Sequence, residues 1–208
     1  MRFHFRLIAF LFLLFHHLLA DGQLKYGQIV GLNLSSLSLN RNEISYSPRI
    51  SPGIHFGGYL EIPVARHLQF RPALVFSAKG ASFRTDSSTF SISPIYAEIP
   101  ASLFLTFGPG EIKVVVFAGV YVACGVGGNT LESKGPFKNI VFGNGPGDDI
   151  KRFDLGYNSG AGINFGEFLV SVQYGSSLVN ESPSEKKNTE MKNKVTGISL
   201  SFAMTPKK

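Results

Sequence analysis

RFDLGYNSGAGINFG, residues 152–166, sorts its side chains by parity. Phe153, Leu155, Tyr157, Ala161, Ile163 and Phe165 fall on one face, and Asp154, Gly156, Asn158, Gly160, Gly162 and Asn164 on the other. A period of two is that of a β-strand. The second face is polar but almost uncharged. A sheet turning that face to water would carry Lys and Glu for solvation, and Gly and Asn are poor strand formers on an open surface. The pattern suits a wall whose apolar face meets lipid and whose other face lines a narrow polar interior.

Seven further blocks repeat the pattern. YGQIVGLNLSS (26–36) opposes Val30, Leu32 and Leu34 to Gly31, Asn33 and Ser35. GIHFGGYLEIPV (53–64) opposes Ile54, Phe56, Leu60 and Ile62 to His55, Tyr59 and Glu61. LQFRPALVFSAKG (68–80), IYAEIPASLFLTF (95–107) and IKVVVFAGVYVACG (112–125) follow, then LVSVQYGSS (169–177) and VTGISLSFAM (195–204). Eight strands are expected. Their connections alternate: short at 65–67, 108–111 and 166–167, long at about 37–52, 79–94, 126–151 and 179–194. This predicts an all-β, eight-stranded antiparallel up-and-down transmembrane β-barrel with short periplasmic turns and long extracellular loops. A soluble barrel with the apolar rows turned inward is the alternative architecture.

Composition agrees. Charged residues make up 16% of the chain, against about 25% in soluble proteins. The net charge of +6 includes Arg2, Arg6 and Asp21 of the leader; the cations after it sit in loops mixed with Asp and Glu, with no continuous basic stripe, which argues against nucleic acid. The single cysteine, Cys124, has no partner for an internal disulfide. At the N-terminus Arg2 and Arg6 precede an apolar run from Leu7 to Ala20, shorter than the ~20 residues of a membrane helix. Residues 1–22 are expected to be a signal peptide and 23–208 the barrel domain.

The phrases GLNLSS (31–36), GIHFGGYLEIPV (53–64), FRPALVFSAKGA (70–81), YAEIPASLFL (96–105) and KRFDLGYNSGAGINFG (151–166), in that order, resemble the PorT-like outer-membrane β-barrel family of Gram-negative bacteria. The resemblance implies an eight-stranded barrel in the outer membrane. It also implies a structural or interaction role, as some members are linked to type IX protein secretion. One departure is the end of the chain: the family typically finishes on an aromatic residue, whereas here AMTPKK follows Phe202.

Four charges are predicted to point into the lumen as a polar cluster: Glu61, Arg71, Glu98 and Asp154. Glu61 is expected opposite Arg71 across the 65–67 turn. Tyr59, Phe104, Phe117 and Tyr121 share the inward face and are expected to fill space. Phe70, Phe76, Phe107, Phe153, Phe165, Phe168, Tyr174 and Phe202 are expected as membrane-interface girdles in place of the missing Trp. An internal ion-pair plug is favoured over a gated path, because eight strands leave room for side chains but not for a channel.

Catalysis is not expected. After the leader only His55 and His67 remain, placed at opposite ends, and His55 with a loop serine is the sole version of a lipid-modifying site. The Gly-rich stretch 126–151 lacks P-loop and Ca²⁺-loop spacing and is read as a flexible turn suited to partner contact. The 181–194 loop is read as solvated. No metal or other cofactor is implied. The expected partners are outer-membrane lipids and envelope or secretion proteins, around a monomeric barrel. A small pore and a soluble periplasmic ligand-binding barrel are the competing functional readings.

Overall fold

The computed structural model describes residues 24–41, 44–46, 49–84, 89–132, 135–145, 147–183 and 189–204. The leader, residues 1–22, and the tail after Met204 lie outside them. The strands are β1 (Lys25–Arg41), β2 (Ile44–Tyr46), β3 (Arg49–Ala65), β4 (Leu68–Ala78), β5 (Ala81–Arg84), β6 (Thr89–Phe107), β7 (Ile112–Glu132), β8 (Lys138–Asn139), β9 (Phe153–Phe165), β10 (Phe168–Ser177) and β11 (Thr189–Met204).

Eight of them close a ring in the order β1–β3–β4–β6–β7–β9–β10–β11, with β11 returning to β1. Every junction is antiparallel. Closure pairs every strand of the ring on both sides, the condition for crossing lipid with strands. Alternation then decides which face is wet. In β9 every odd residue from Phe153 to Phe165 is exposed on the outer wall, and Asp154 and Gly156 are buried inside. The outward rows carry Val30, Leu32, Ile54, Ile99, Val120, Val172 and Ile198, each around half exposed. The apolar face is the outside of the barrel, which removes the soluble alternative.

The hairpins at one end are tight. Gly166 opens the two-residue turn between β9 and β10 with φ +67, a value that favours glycine in such hairpins. At the other end the structure corrects the expected long loops. β1 and β7 run on to Arg41 and Glu132, and β3, β6 and β11 begin at Arg49, Thr89 and Thr189. The short β2, β5 and β8 pair alongside them. The ladder continues where the apolar row stops: Ser36 and Ser38 on β1 face Lys194 and Lys192 on β11. Lipid ends there, but backbone pairing does not.

The stretch 126–151 is also corrected. Its described residues fold into the barrel mouth, where Ile140 and Ile150 join Leu37, Ala81, Ile92 and Met191 in an apolar core. Phe142 packs edge-on against Tyr96, centroids 6.2 Å apart. Three apolar side chains among glycines and acids suffice to pull this connection inward.

Candidate functional site

Inside the wall, small residues make room for large ones. A Cβ on Gly160 would strike the Phe117 ring, and one on Gly156 the Tyr121 ring. Gly27 and Gly31 stand in the same relation to Tyr59 and His55. The glycines of the quoted stretch are therefore the floor on which the aromatic side chains of the neighbouring strand lie.

The lumen is built in layers. Nearest the short turns, the Arg71 guanidinium donates to Glu61 at 2.6 Å across the β3–β4 hairpin. It is sandwiched between the Tyr59 and Phe104 rings, 4.5 and 4.0 Å from their centroids. Phe104 in turn stacks on Phe117 at 4.5 Å, and Val115 and Leu169 complete an apolar plug.

Above it lies a chamber of about 100 Å³ whose lining includes Tyr59, Arg71, Ser171, Gln173, Ser201, His55 and Lys79. That is space for roughly three waters.

His55 belongs to this wall and not to the rim. Asn33 Nδ2 donates to Ser77 Oγ at 3.0 Å and to the Ala78 carbonyl at 3.2 Å. Its Oδ1 therefore faces His55 Nδ1, 2.8 Å away, and accepts from it. His55 Nε2 is left to accept from the Ser199 hydroxyl at 2.9 Å. The order is that of nucleophile, base and orienting group, but Ser199 is only 1% exposed. His67 sits in the turn between β3 and β4 at the opposite end.

The third layer closes the chamber from the long-connection side. Lys79 Nζ lies 2.8 Å from Glu98 and 3.8 Å from Asp154. Asp154 accepts from the Tyr121 and Ser177 hydroxyls, both at 3.0 Å. Ser177 also touches Glu181 at 2.6 Å, and Glu181 further accepts from Tyr96 and from Asn193. Glu181 lies in the connection between β10 and β11 and is fully buried. Burial first, then the nearby Asp154 charge, pushes its carboxyl up to about 7. The 181–194 loop is thus not the solvated one expected: Glu181, Met191 and Asn193 are interior residues, and β11 starts at Thr189.

The four predicted lumen charges all point inward but do not form one cluster. Arg71 pairs in register with Ser102, and Val75 with Glu98. Four residues of β4 separate the two levels, which is about 13 Å of strand. Glu61 and Arg71 make the lower layer, and Glu98 and Asp154 belong to the upper one.

The predicted aromatics divide as follows. Tyr59, Phe104, Phe117 and Tyr121 are all buried in the lumen. Phe107, Phe165 and Phe168 flank the short turns, while Phe153 stands at the other end of β9, and all four face outward. Phe168 packs on Phe202 at 4.9 Å. Phe70 lies two residues into β4, and Phe76 and Tyr174 lie nearer the far ends of β4 and β10.

The molecule is thus a closed eight-stranded ring, apolar outside and filled with paired charge. A family described as outer membrane protein beta-barrel domain matches residues 19–182. The chain belongs to that family.

Solved structures similar to this outer-membrane barrel include Ail of Yersinia pestis, 11% identical, with 86% of this chain and 99% of that one covered and a TM-score of 0.43. Neisserial surface protein A is 10% identical over 84% of this chain and 96% of that one, with a TM-score of 0.44. The N-terminal β-barrel domain of OprF from Pseudomonas aeruginosa is 11% identical over 88% and 100%, with a TM-score of 0.37. No curated protein matches the sequence.

Three groups of this barrel's interior escaped the sequence reading. Lys79 continues the inward row Arg71, Ala73, Val75, Ser77, so its parity was the signal. Asn33 and Ser199 lay on inward rows, but nothing linked them to His55. Glu181 had no signal, because no period runs through 178–183.

Proposed function

We propose that the protein is a closed, non-conducting outer-membrane barrel of structural or interaction type, acting through its protruding outer end and its turns as an accessory to envelope assembly or type IX secretion. The observation that carries this reading is the double occlusion of the lumen. The Glu61–Arg71 pair with its aromatic sandwich fills one level, and the Lys79–Asp154–Glu181 network under the apolar cap fills another. A solute path would have to break a buried ion pair at each level, and a buried pair broken by loss of one partner costs about 3–5 kcal/mol. The reading is non-catalytic because the Ser199–His55 relay is sealed within the wall. The secretion assignment rests on the PorT-like phrases in the sequence.

The test is single-channel recording after insertion into planar bilayers. The expected result is no stepwise conductance from the folded, heat-modifiable form. Reproducible steps abolished by blocking the lumen would replace this reading with the small-pore one. Retention of type IX cargo inside a strain lacking the protein would identify the secretion role, and normal export would remove it.

A further inference from the structure

We propose that the connection Leu178–Pro183 is a proton-latched lid over the lumen chamber, held shut by one proton shared between Glu181 and Asp154 across Ser177. The geometry demands the proton. Ser177 Oγ lies 3.0 Å from Asp154 Oδ2 and 2.6 Å from Glu181 Oε1. A serine hydroxyl has one hydrogen to donate, so it satisfies one carboxylate, and the other contact holds only if that carboxyl itself carries a proton and donates it. Tyr96, Tyr121 and Asn193 are further donors to these carboxyls.

Charge counting gives the same answer. Among the described residues the ionisable groups around Glu181 are Asp154 on β9, Tyr96 on β6, Tyr121 on β7 and Lys79 after β4, with Glu98 on β6 paired to Lys79 and Lys151 at the rim. Among the described residues Lys79 is the only buried cation beside these three carboxyls. A bound proton reduces the uncompensated negative charge from two to one.

The lid is pinned by backbone bonds as well: the Leu178 amide donates to the Leu155 carbonyl at 2.8 Å, and the Met191 amide to Asn180 Oδ1 at 2.9 Å. The Glu181 amide donates to the Met191 carbonyl at 2.9 Å, and the Lys151 amide donates to the Glu181 carbonyl at 2.8 Å. Lys151 Nζ reaches the Asn180 carbonyl at 2.9 Å. The Glu181 side chain is the piece that enters the barrel, directly above Asp154, Lys79 and the chamber. With the lid swung out, Glu181 returns to water and to an ordinary carboxylate value. The closed state therefore binds the proton more tightly than the open one. Closure is strongest below about 4.5, weakens as pH rises from there to about 7, and levels off above.

The experiment is amide hydrogen exchange on the full folded chain in detergent micelles, at about pH 5 and about pH 8, corrected for the intrinsic chemical rate. Protection of the Glu181 and Lys151 amides is expected to fall about seventy-fold between the two, most of it below about pH 7. Amides of the membrane band, such as Val120 and Val172, are expected to stay constant. Glu181→Gln, which keeps the shape without the titration, is expected to abolish the pH dependence. Equal protection at both pH values, or an unchanged pH dependence in E181Q, overturns the latch. Difference infrared spectroscopy on the wild type tests it without a variant: one carboxylic-acid carbonyl band is expected to vanish between the two pH values, and its absence at acid pH overturns the shared proton.

Discussion

Replacing Glu61 by Gln tests whether the lumen is held by charge or merely filled. Glu61 and Arg71 are both buried, their side chains 8% and 9% exposed, and they meet at 2.6 Å. In E61Q the guanidinium keeps its two rings, Tyr59 and Phe104, but loses its carboxylate. Stranding a buried charge in this way costs about 3–5 kcal/mol, whereas breaking an exposed pair costs up to about 1 kcal/mol. The companion E61Q/R71M removes both charges and fills the site with an unbranched side chain. Exchanging a whole buried pair for an apolar residue of similar volume is close to neutral or favourable. The double variant is therefore expected to recover most of the loss, giving a coupling energy near 3 kcal/mol. The chain has no Trp, so unfolding by urea in lipid vesicles is followed by circular dichroism and by gel mobility without heating. A cost in E61Q below about 1 kcal/mol, or a double variant as unstable as the two singles added, would refute the claim that this pair is a desolvated lock.

Lys79→Met leaves Glu98 and Asp154 without a cation inside the barrel. A loss of about 3–5 kcal/mol in the same urea titration is expected, and a variant as stable as the wild type would show that the upper layer is solvated. Gly160→Ala drives a methyl into the Phe117 ring, which is already stacked on Phe104. It is expected to destabilise by about 1–3 kcal/mol, as overpacking does. Gly58→Ala is its control: it faces outward, and a Cβ there meets only the Gly27 carbonyl at 3.6 Å. It is expected to be neutral or to gain up to about 1 kcal/mol from reduced freedom of the unfolded chain, and equal losses in G58A and G160A would refute the glycine-floor reading.

How much of this was legible follows from what produces a period in sequence. Lipid selects apolar residues at every second position, so Phe153, Leu155 and Tyr157 announce both the strand and its outer face. The same selection misplaced the strand ends. Beyond the hydrocarbon, Ser36, Ser38, Lys192 and Lys194 occupy outward positions of a ladder that is still fully paired, and nothing in their polarity separates them from loop residues. Cross-strand neighbours were legible only where a short turn sets the register. Glu61 and Arg71 flank such a turn, so their pairing follows from counting outward from it. Asp154 and Glu181 are brought together by a long connection, for which no counting rule exists.

The interior polar residues pose a different problem, because parity gives direction and not height. Glu98 and Arg71 share the inward face, yet four residues of β4 place them in separate layers. Strand tilt and stagger set which inward residues meet across an eight-stranded barrel, and both are properties of the closed ring instead of any one strand. That is why Lys79, in plain phase with Arg71, becomes the counter-ion of Asp154, which is 75 positions away and three strands around the ring. The buried Glu181 completes this logic: an upper layer whose described residues set one lysine against three carboxyls calls for a further cation or a proton, and the serine between Asp154 and Glu181 has a single hydrogen to give. The composition of the upper layer, more than its shape, makes the outer end of this barrel sensitive to pH.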